Sequence, residues 1–156
     1  MLVMDVDGTM TDGRIYMGDH GEVMKAFDVH DGYAIAQILP ELGIIPVIIT
    51  GRESKIVERR AEELGITEVY QGVMDKRSKL LAVAKEKGIL EAEIAGIGDD
   101  VNDLPYLIVC GLSACPSDAE DKVKEAVDYV CKRAGGRGAV RDYIDYLCAN
   151  KILTYF

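Results

Sequence analysis

The sequence predicts an α/β protein with a Rossmann-like, doubly wound parallel sheet. Short runs rich in Ile and Val alternate with segments of helical period, and this alternation is typical of a parallel sheet covered by helices on both faces. The 156 residues contain no repeat, low-complexity stretch or linker. We therefore expect a single domain over residues 1–156, large enough to bury a core without disulfides.

The apolar runs predict the strands, and the segments of helical period between them predict the helices. Strands are expected at Leu2–Val6, Ile45–Ile49, Glu68–Gln71, Ile94–Ile97, Leu112–Ala114 and Tyr129–Cys131. Helices are expected at Gly32–Leu42, Ser54–Leu64, Lys76–Lys87, Leu104–Val109, Glu120–Ala126 and Ala139–Leu147. In the second helix Val57, Ala61 and Leu64 recur at helical spacing, while charged residues fill the opposite face.

One segment, at about residues 13–28, breaks this alternation. Arg14–Met17 and Glu22–Phe27 are two extended runs around the glycine-bearing loop Gly18–Gly21, which is the pattern of a β-hairpin. The hairpin stands where a first crossover helix is usual. Because an isolated two-stranded hairpin is marginally stable in water, we expect it to shield a site or to pair with another subunit.

Composition narrows the possible partners and the location. The apolar fraction is 49% and the charged fraction 29%, as in an ordinary globular protein. The longest uncharged stretch, Leu104–Ser117, is shorter than the ~18 residues that a membrane span requires. The start of the chain has no export signal, so a cytoplasmic protein is expected. A net charge of −9 disfavours nucleic acid and anionic lipid, which need a basic face.

The cysteine pattern predicts neither a disulfide framework nor a zinc site. Cys110, Cys115, Cys131 and Cys148 form no CxxC pair, and neither histidine lies at zinc-ligand spacing from them. We interpret all four as reduced packing residues.

The first strand runs directly into Asp5-Val-Asp-Gly-Thr9. In an extended segment, residues i and i+2 point to the same side, so the Asp5 and Asp7 carboxylates need a cation or proton between them. Such a pair suits phosphoryl transfer, with Asp5 as nucleophile and Asp7 as general acid and base. The alternative is a strand end with an Asx turn.

Two further strand ends carry groups that bind phosphate. Thr50-Gly-Arg52 follows one strand and offers a hydroxyl and backbone N–H groups, although a threonine before a helix is also a common cap. Lys76 follows another strand at a helix start. A buried lysine there would neutralise the aspartyl nucleophile and the phosphoryl group, whereas a solvated one would do neither.

The strand Ile94–Ile97 leads into Asp99-Asp100-Val-Asn-Asp103. This loop is not a dinucleotide site, because it lacks the third glycine and its acids would repel a pyrophosphate. Oxygen ligands of this kind suit Mg²⁺. The alternative is an acidic first turn that is favourable with the dipole of the following helix.

In order, each after a strand, the chain has Asp-x-Asp-Gly, Thr-Gly-Arg, Lys and Gly-Asp-Asp. With these motifs it resembles the haloacid dehalogenase superfamily of phosphotransferases, and the resemblance covers essentially all 156 residues. The resemblance implies that Asp5 is the nucleophile and Asp7 the acid/base. It also implies a Mg²⁺ cofactor bound by Asp5, the main-chain oxygen of Asp7, and Asp99.

The same resemblance assigns supporting roles to other residues. Thr50 and Lys76 look like the residues that hold the phosphoryl group. Asp100 and Asp103 would contact the metal ligands rather than the metal, or act as alternative ligands.

Neither gap between the motifs is long enough for the cap domain that many members of the superfamily carry. The hairpin and the late Ala134-Gly-Gly-Arg-Gly138 resemble the small capless group typified by 3-deoxy-D-manno-octulosonate 8-phosphate phosphatase. The resemblance implies a homotetramer joined through the hairpins, with the C-terminal segment, about residues 134–156, closing a neighbouring subunit's site. The apolar tail Ile152–Phe156 is expected to dock on its own or another subunit.

The capless group also implies a substrate, a small phosphorylated sugar acid whose carboxylate suits arginine. Its contacts would fall on Asp28, Val29, His30, Asp31, Gly32, Arg52, Arg60, Lys76 and Arg137. Arg60 would otherwise form an ordinary surface pair with Glu62 or Glu63. His30 and Ala36 stand where the octulosonate enzymes have arginine, and Asp28 replaces an asparagine. A nonulosonate 9-phosphate is therefore an alternative substrate.

Two other classes share part of this pattern. A response-regulator receiver also uses Asp, Thr, Lys and Mg²⁺, but its acidic pair follows the first strand, whereas here the Asp-Asp pair comes late. A catalytically idle assembly domain of this fold, as in sialate-activating enzymes, would not need Asp5, Asp7, Lys76 and Asp99 together. We therefore expect a Mg²⁺-dependent phosphomonoesterase that works through an aspartyl phosphate. Its first expected substrate is 3-deoxy-D-manno-octulosonate 8-phosphate.

Overall fold

The structure, a computed structural model, describes residues 1–150. Its strands are β1 (Leu2–Met4), β2 (Tyr16–Gly18), β3 (Gly21–Met24), β4 (Pro46–Ile49), β5 (Glu68–Tyr70), β6 (Ala95–Ile97), β7 (Leu112–Cys115) and β8 (Tyr129–Val130). Strands β2 and β3 form an antiparallel hairpin, and the other six strands of residues 1–150 form one sheet. The predicted fold class is confirmed.

Neighbouring strands of the sheet are all parallel, in the order β5-β4-β1-β6-β7-β8. The chain extends from β1 through β4 to β5, and then returns to the other side of β1 to form β6, β7 and β8. The order therefore reverses between β1 and β6, where the backbone N–H of Asp5 donates to the Ile97 carbonyl at 3.1 Å. Ligands of open α/β sheets bind at such a reversal, outside the carboxyl ends of the strands.

Helices cover both faces of the sheet. They are α1 (Val29–Tyr33), α2 (Leu39–Glu41), α3 (Lys55–Glu63), α4 (Lys76–Lys87), α5 (Leu104–Leu107), α6 (Asp121–Lys124) and α7 (Ala139–Ala149). Two apolar clusters lie between the layers, and successive residues of β1 point to opposite sides. Leu2 and Met4 pack in the cluster that contains Ile144 of α7, while Val3 packs in the cluster that contains Leu80 of α4.

The helix expected at Gly32–Leu42 begins earlier than predicted. Its first turn starts at Val29, because the Asp28 carboxylate caps it by accepting from the backbone N–H groups of His30 (2.7 Å) and Asp31 (3.3 Å). A π-helical stretch, Ala34–Ile38, then joins α1 to α2. The sequence pattern did not indicate that Asp28 acts as a cap.

Other boundaries differ from the predictions by a few residues. Strand β1 ends at Met4 because Val6–Met10 form a wide turn. The hairpin strands are shorter than expected, with an irregular register between Tyr16 and Met17. Helices α5 and α6 end at Leu107 and Lys124, before the predicted ends, whereas α7 continues past its predicted end to Ala149.

The cysteines only partly fit their predicted packing role. Cys115 and Cys131 are buried and Cys110 is half-buried, but Cys148 is exposed; all four are free thiols. Among the helices of residues 1–150, none is both long and apolar enough to cross a bilayer. The predicted docking of the tail at residues 152–156 lies outside the described part of the chain.

Candidate active site

The loop after β1 brings the two aspartates to the reversal of strand order. Val6–Met10 make one wide turn, in which Asp7 is extended and Gly8 has a φ of 98°, a conformation that glycine adopts without strain. A side chain at Gly8 would also collide with Asp99, since an added Cβ would lie 1.9 Å from the Asp99 Oδ2. The Thr9 hydroxyl donates to the other Asp99 oxygen at 2.9 Å. The first loop therefore packs directly against the Asp99 loop.

Asp5 is buried and held from the protein interior. The ammonium group of Lys76, the first residue of α4, lies 2.5 Å from one oxygen of Asp5 and 2.5 Å from one oxygen of Asp103. The second Asp103 oxygen accepts from the backbone N–H groups of Asp99 (3.0 Å) and Asp100 (3.3 Å). Asp103 thus fixes both Lys76 and the Asp99 loop.

The carboxylates around Asp5 form a cluster that a metal cation would stabilise. Ligand atoms of Asp5, Asp99 and Asp103 lie within 4.8 Å of one another. Lys76 bonds to two of these residues, Asp5 and Asp103. Burial and the Asp103 carboxylate raise the pKa of Asp5 well above its usual range, and the same causes raise the pKa of Asp99 to about 7. Burial opposes the charge on Lys76, but the Asp5 and Asp103 carboxylates raise its pKa. A set of oxygen donors with surplus negative charge suits Mg²⁺.

Asp7 is held from the opposite side, by the hairpin. The ammonium group of Lys25 bonds to the Asp7 carboxylate and lies 2.8 Å from Glu22. The Arg52 guanidinium lies 3.6 Å from the second Asp7 oxygen. Burial acts to raise the pKa of Glu22, but the hydrogen bonds from Lys25 and Ser54 lower it below its usual range. Sequence reasoning missed Lys25 and Glu22, because no pattern in the hairpin indicates which residues turn inward.

The predicted catalytic residues share one pocket of about 190 Å³. It is lined by Asp5, Asp7, Thr50, Gly51, Arg52, Lys76, Asp99, Asp100 and Asn102. Thr50 is buried at the end of β4 and is fixed there by backbone hydrogen bonds to Tyr70 and Val73. Asp100 is exposed on the pocket wall. Asn102 and Thr9 are further residues of this site that the motifs did not single out.

The predicted sugar contacts are not gathered in that pocket. Asp28, Val29 and Arg137 line a separate pocket of about 350 Å³, together with Asp12 and Phe27. His30 is exposed beside Asp28. Of the predicted contacts, only Arg52 and Lys76 lie with the aspartates.

Two of these residues face the protein rather than a pocket that a sugar could enter. The Asp31 carboxylate is buried and accepts from the backbone N–H of Arg141 at 2.7 Å. Arg60 pairs with Glu63 at 2.8 Å and lies over the Phe27 ring, 5.6 Å from its centroid. The guanidinium also fills the space beside Gly32. Arg60 therefore supports the segment after the hairpin.

The late glycine loop, Gly135–Gly138, contacts the first loop, Val6–Met10. The backbone N–H of Gly136 donates to the Thr9 carbonyl at 3.1 Å, and an added Cβ at Gly135 would lie 1.8 Å from the Gly8 carbonyl oxygen. The absence of a side chain at Gly135 permits this close approach to the chain's own first loop.

Comparison with known proteins agrees with this geometry. A family model described as haloacid dehalogenase-like hydrolase matches residues 62–144. The chain is 44% identical to the 3-deoxy-D-manno-octulosonate 8-phosphate phosphatase of Escherichia coli K12 over 147 residues, covering 94% of this chain and 78% of that protein. The chain belongs to this phosphatase family.

Solved structures of the octulosonate phosphatase family share the fold. The Yersinia pestis phosphatase superposes with a TM-score of 0.91 at 44% identity, covering 98% of this chain and 83% of the other. The Moraxella catarrhalis phosphatase, solved in complex with magnesium, phosphate and a KDO molecule, superposes with a TM-score of 0.89 at 37% identity, covering 99% and 92%.

Proposed function

We propose that the protein is a Mg²⁺-dependent phosphatase that converts 3-deoxy-D-manno-octulosonate 8-phosphate to 3-deoxy-D-manno-octulosonate and phosphate. The observation that carries this proposal is the pocket at the strand reversal, where Asp5, Asp7, Thr50 and Lys76 meet the Asp99 loop. Membership of the octulosonate phosphatase family, at 44% identity, gives the substrate class.

Asp5 is the nucleophile in this proposal. Its carboxylate attacks phosphorus, a bond forms between that oxygen and the phosphoryl group, and the bond from phosphorus to the sugar oxygen breaks. Lys76, 2.5 Å from Asp5, and the Thr50 hydroxyl hold the phosphoryl oxygens. Asp5, Asp99 and the main-chain oxygen of Asp7 would hold Mg²⁺, which neutralises charge on the phosphoryl group when bound.

Asp7 moves the protons. It gives a proton to the departing sugar oxygen, and it later takes a proton from the water that attacks the aspartyl phosphate. That attack breaks the bond between phosphorus and Asp5 and releases phosphate. Asp7 is suited to this task because it lies two residues from the nucleophile and lines the same pocket.

A substrate panel tests the proposal. The purified protein is expected to hydrolyse octulosonate 8-phosphate faster than nonulosonate 9-phosphates, to lose activity in EDTA, and to regain it with Mg²⁺. Equal turnover without metal would contradict the mechanism. A preference for a nonulosonate 9-phosphate would leave the chemistry in place and replace the substrate.

We also propose that the chain forms a homotetramer through the hairpin and that Arg137 reaches a neighbouring site. The hairpin exposes apolar side chains, of which Met17 is 65% exposed, and Arg137 lies outside the Asp5 pocket of its own subunit. Light scattering measures the molar mass of the assembly. The wild type is expected to have the mass of a tetramer, and the double variant Met17→Ser, Val23→Ser a lower mass. Mixing inactive Asp5→Asn and Arg137→Ala subunits is expected to restore activity only if sites are shared.

A further inference from the structure

The hairpin carries a charged cluster that points into the protein. Lys25 follows β3 directly, and its ammonium group contacts both Asp7 and Glu22. Glu22 accepts a hydrogen bond from the Ser54 hydroxyl, and Ser54 caps the N-terminus of α3. Asp7, Lys25, Glu22 and Ser54 therefore form a chain of contacts that links the catalytic loop, the hairpin and a helix of the main domain.

The burial of this cluster separates it from an ordinary surface ion pair. The Lys25 side chain is only 1% exposed, whereas lysine is rarely buried unless it is paired. A lysine on a two-stranded hairpin would otherwise extend into solvent. Met17, Val23 and Met24 of the same hairpin are exposed, so burial is not general along the hairpin. The burial of the charged Lys25 side chain therefore needs a reason within the molecule.

The geometry around Asp7 supplies that reason. The carboxylate is bracketed by two cations, with Lys25 bonded to one oxygen and Arg52 lying 3.6 Å from the other. Glu22 is a second anion that lies near both cations. Its carboxylate contacts Lys25 and lies 3.6 Å from Arg52. A carboxylate bonded at one oxygen and lying beside a guanidinium at the other has less freedom to rotate about its side-chain bonds, and accurate orientation is what proton transfer requires.

We propose that Lys25 is the positioning residue that orients the Asp7 carboxylate for proton transfer, and that Glu22 in turn positions Lys25. This inference rests on the proposed phosphatase function. It gives the hairpin a direct part in turnover, beyond shielding the site or joining subunits. Lys25 forms no bond with the substrate in this scheme. It acts through Asp7, whose proton passes to the sugar oxygen as the bond from phosphorus to that oxygen breaks.

The leaving group provides the decisive test. A sugar alkoxide needs a proton as it departs, while p-nitrophenolate leaves without one. We therefore expect Lys25→Met to lower kcat/KM for octulosonate 8-phosphate by about 100-fold, within the range of general acid catalysis. The same variant is expected to lower kcat/KM for p-nitrophenyl phosphate by less than about 5-fold. KM for the sugar phosphate should change little, since the lysine does not bind the substrate.

Three further variants make the test specific. Lys25→Arg keeps a cation that can reach Asp7 and is expected to restore part of the lost activity, while Glu22→Gln should reproduce the Lys25→Met pattern more weakly. Lys87→Met is the matched control, because it breaks another lysine–glutamate pair, with Glu68 at 2.6 Å, far from the site. It is expected to leave both activities unchanged.

The outcomes separate this inference from the proposed function. If the wild type hydrolyses the sugar phosphate and Lys25→Met loses both substrates by the same factor, the lysine has a merely structural role and the inference fails. A large rise in KM would make Lys25 a substrate contact, which also overturns it. If the wild type hydrolyses none of the sugar phosphates, the proposed function fails, while the p-nitrophenyl phosphate measurement still reports on the site.

Discussion

Asp5 and Asp7, the proposed nucleophile and acid/base, are held by two different parts of the molecule. Asp5 is bonded to Lys76 at the start of α4, inside the main domain, and its side chain is 6% exposed. Asp7 is bonded to Lys25 on the hairpin, and its side chain is 18% exposed. The proposed nucleophile is therefore fixed by the sheet and its helices, whereas the proposed acid/base is fixed by an element that the sheet does not require.

This difference agrees with the role that the proposed mechanism gives to each residue. Asp5 must attack from one fixed direction, so a rigid and buried support is suitable. Asp7 must exchange protons with a leaving group and a water molecule, so it needs access to the pocket opening. Changes on the Asp5 side are expected to affect chemistry, metal binding and stability together, while changes on the hairpin side affect proton transfer.

The largest effect is expected from Asp5→Asn, which tests the rigid half. An amide cannot form the aspartyl phosphate, so kcat should fall by about 10⁴-fold or more. Steady-state hydrolysis of octulosonate 8-phosphate measures it. Asp121→Asn is the control, since it removes a carboxylate from an exposed pair with Lys124. Residual turnover near the wild-type rate in Asp5→Asn would end the assignment of the nucleophile.

Asp7→Asn tests the hairpin half and is expected to have the next largest effect. Loss of the general acid should lower kcat/KM for the sugar phosphate by about 10²–10⁴-fold. The loss with p-nitrophenyl phosphate should be much smaller, because that leaving group needs no proton. Equal losses on the two substrates would argue that Asp7 serves the phosphoryl group rather than the leaving oxygen.

Gly8→Ala tests the contact between the first loop and the proposed metal ligand Asp99. Its Cβ would overlap the Asp99 carboxylate, so the Mg²⁺ concentration for half-maximal activity should rise about 10–100-fold. Gly43→Ala is the matched control, because Gly43 has a similar positive φ of 66° but no atom within 4 Å of an added Cβ. A similar rise in Gly43→Ala would attribute the effect to backbone strain alone.

Asp31→Asn tests how the segment after the hairpin is tied to α7, and it is expected to have the smallest effect. Burial raises the pKa of Asp31 to about 6, above its value in the unfolded chain. The folded state then binds more protons between pH 4 and 6, so this group lowers stability as pH rises through that range.

The Asn variant lacks this titration, so it should be more stable than the wild type at pH 7.5 but not at pH 4.5. We expect about 1 to 2 kcal/mol, because the neutral amide also accepts a weaker hydrogen bond from Arg141. Urea unfolding at both pH values measures it. An equal gain in Asp19→Asn, at an exposed position of the hairpin turn, would attribute the effect to net charge.

The sequence predicted the rigid half of the site well. Asp5, Thr50, Lys76 and Asp99 each follow a strand, and parallel strands bring their carboxyl ends to one edge. Motif order was therefore enough to place these residues together. The prediction needed no side-chain detail.

The hairpin half could not be predicted in the same way. Strand alternation would place Glu22 and Lys25, three positions apart, on opposite faces, but Lys25 lies just beyond the end of β3 and contacts Glu22, so the pair was missed. Asp28 is assigned to the substrate on resemblance, and no pattern in the sequence indicated that it also caps a helix. Arg60 was assigned to the substrate on resemblance, and its stacking on Phe27 depends on how the hairpin returns to the sheet.

The position of β1 has a consequence for motion. Its three residues, Leu2–Met4, are completely buried and paired on both edges with β4 and β6. Backbone amides at such a position exchange with solvent only when the whole domain unfolds, whereas a two-stranded hairpin can open locally. In hydrogen-exchange measurements, the amide of Asp5 is therefore expected to be among the slowest, and the amides of Glu22 and Lys25 to exchange much sooner.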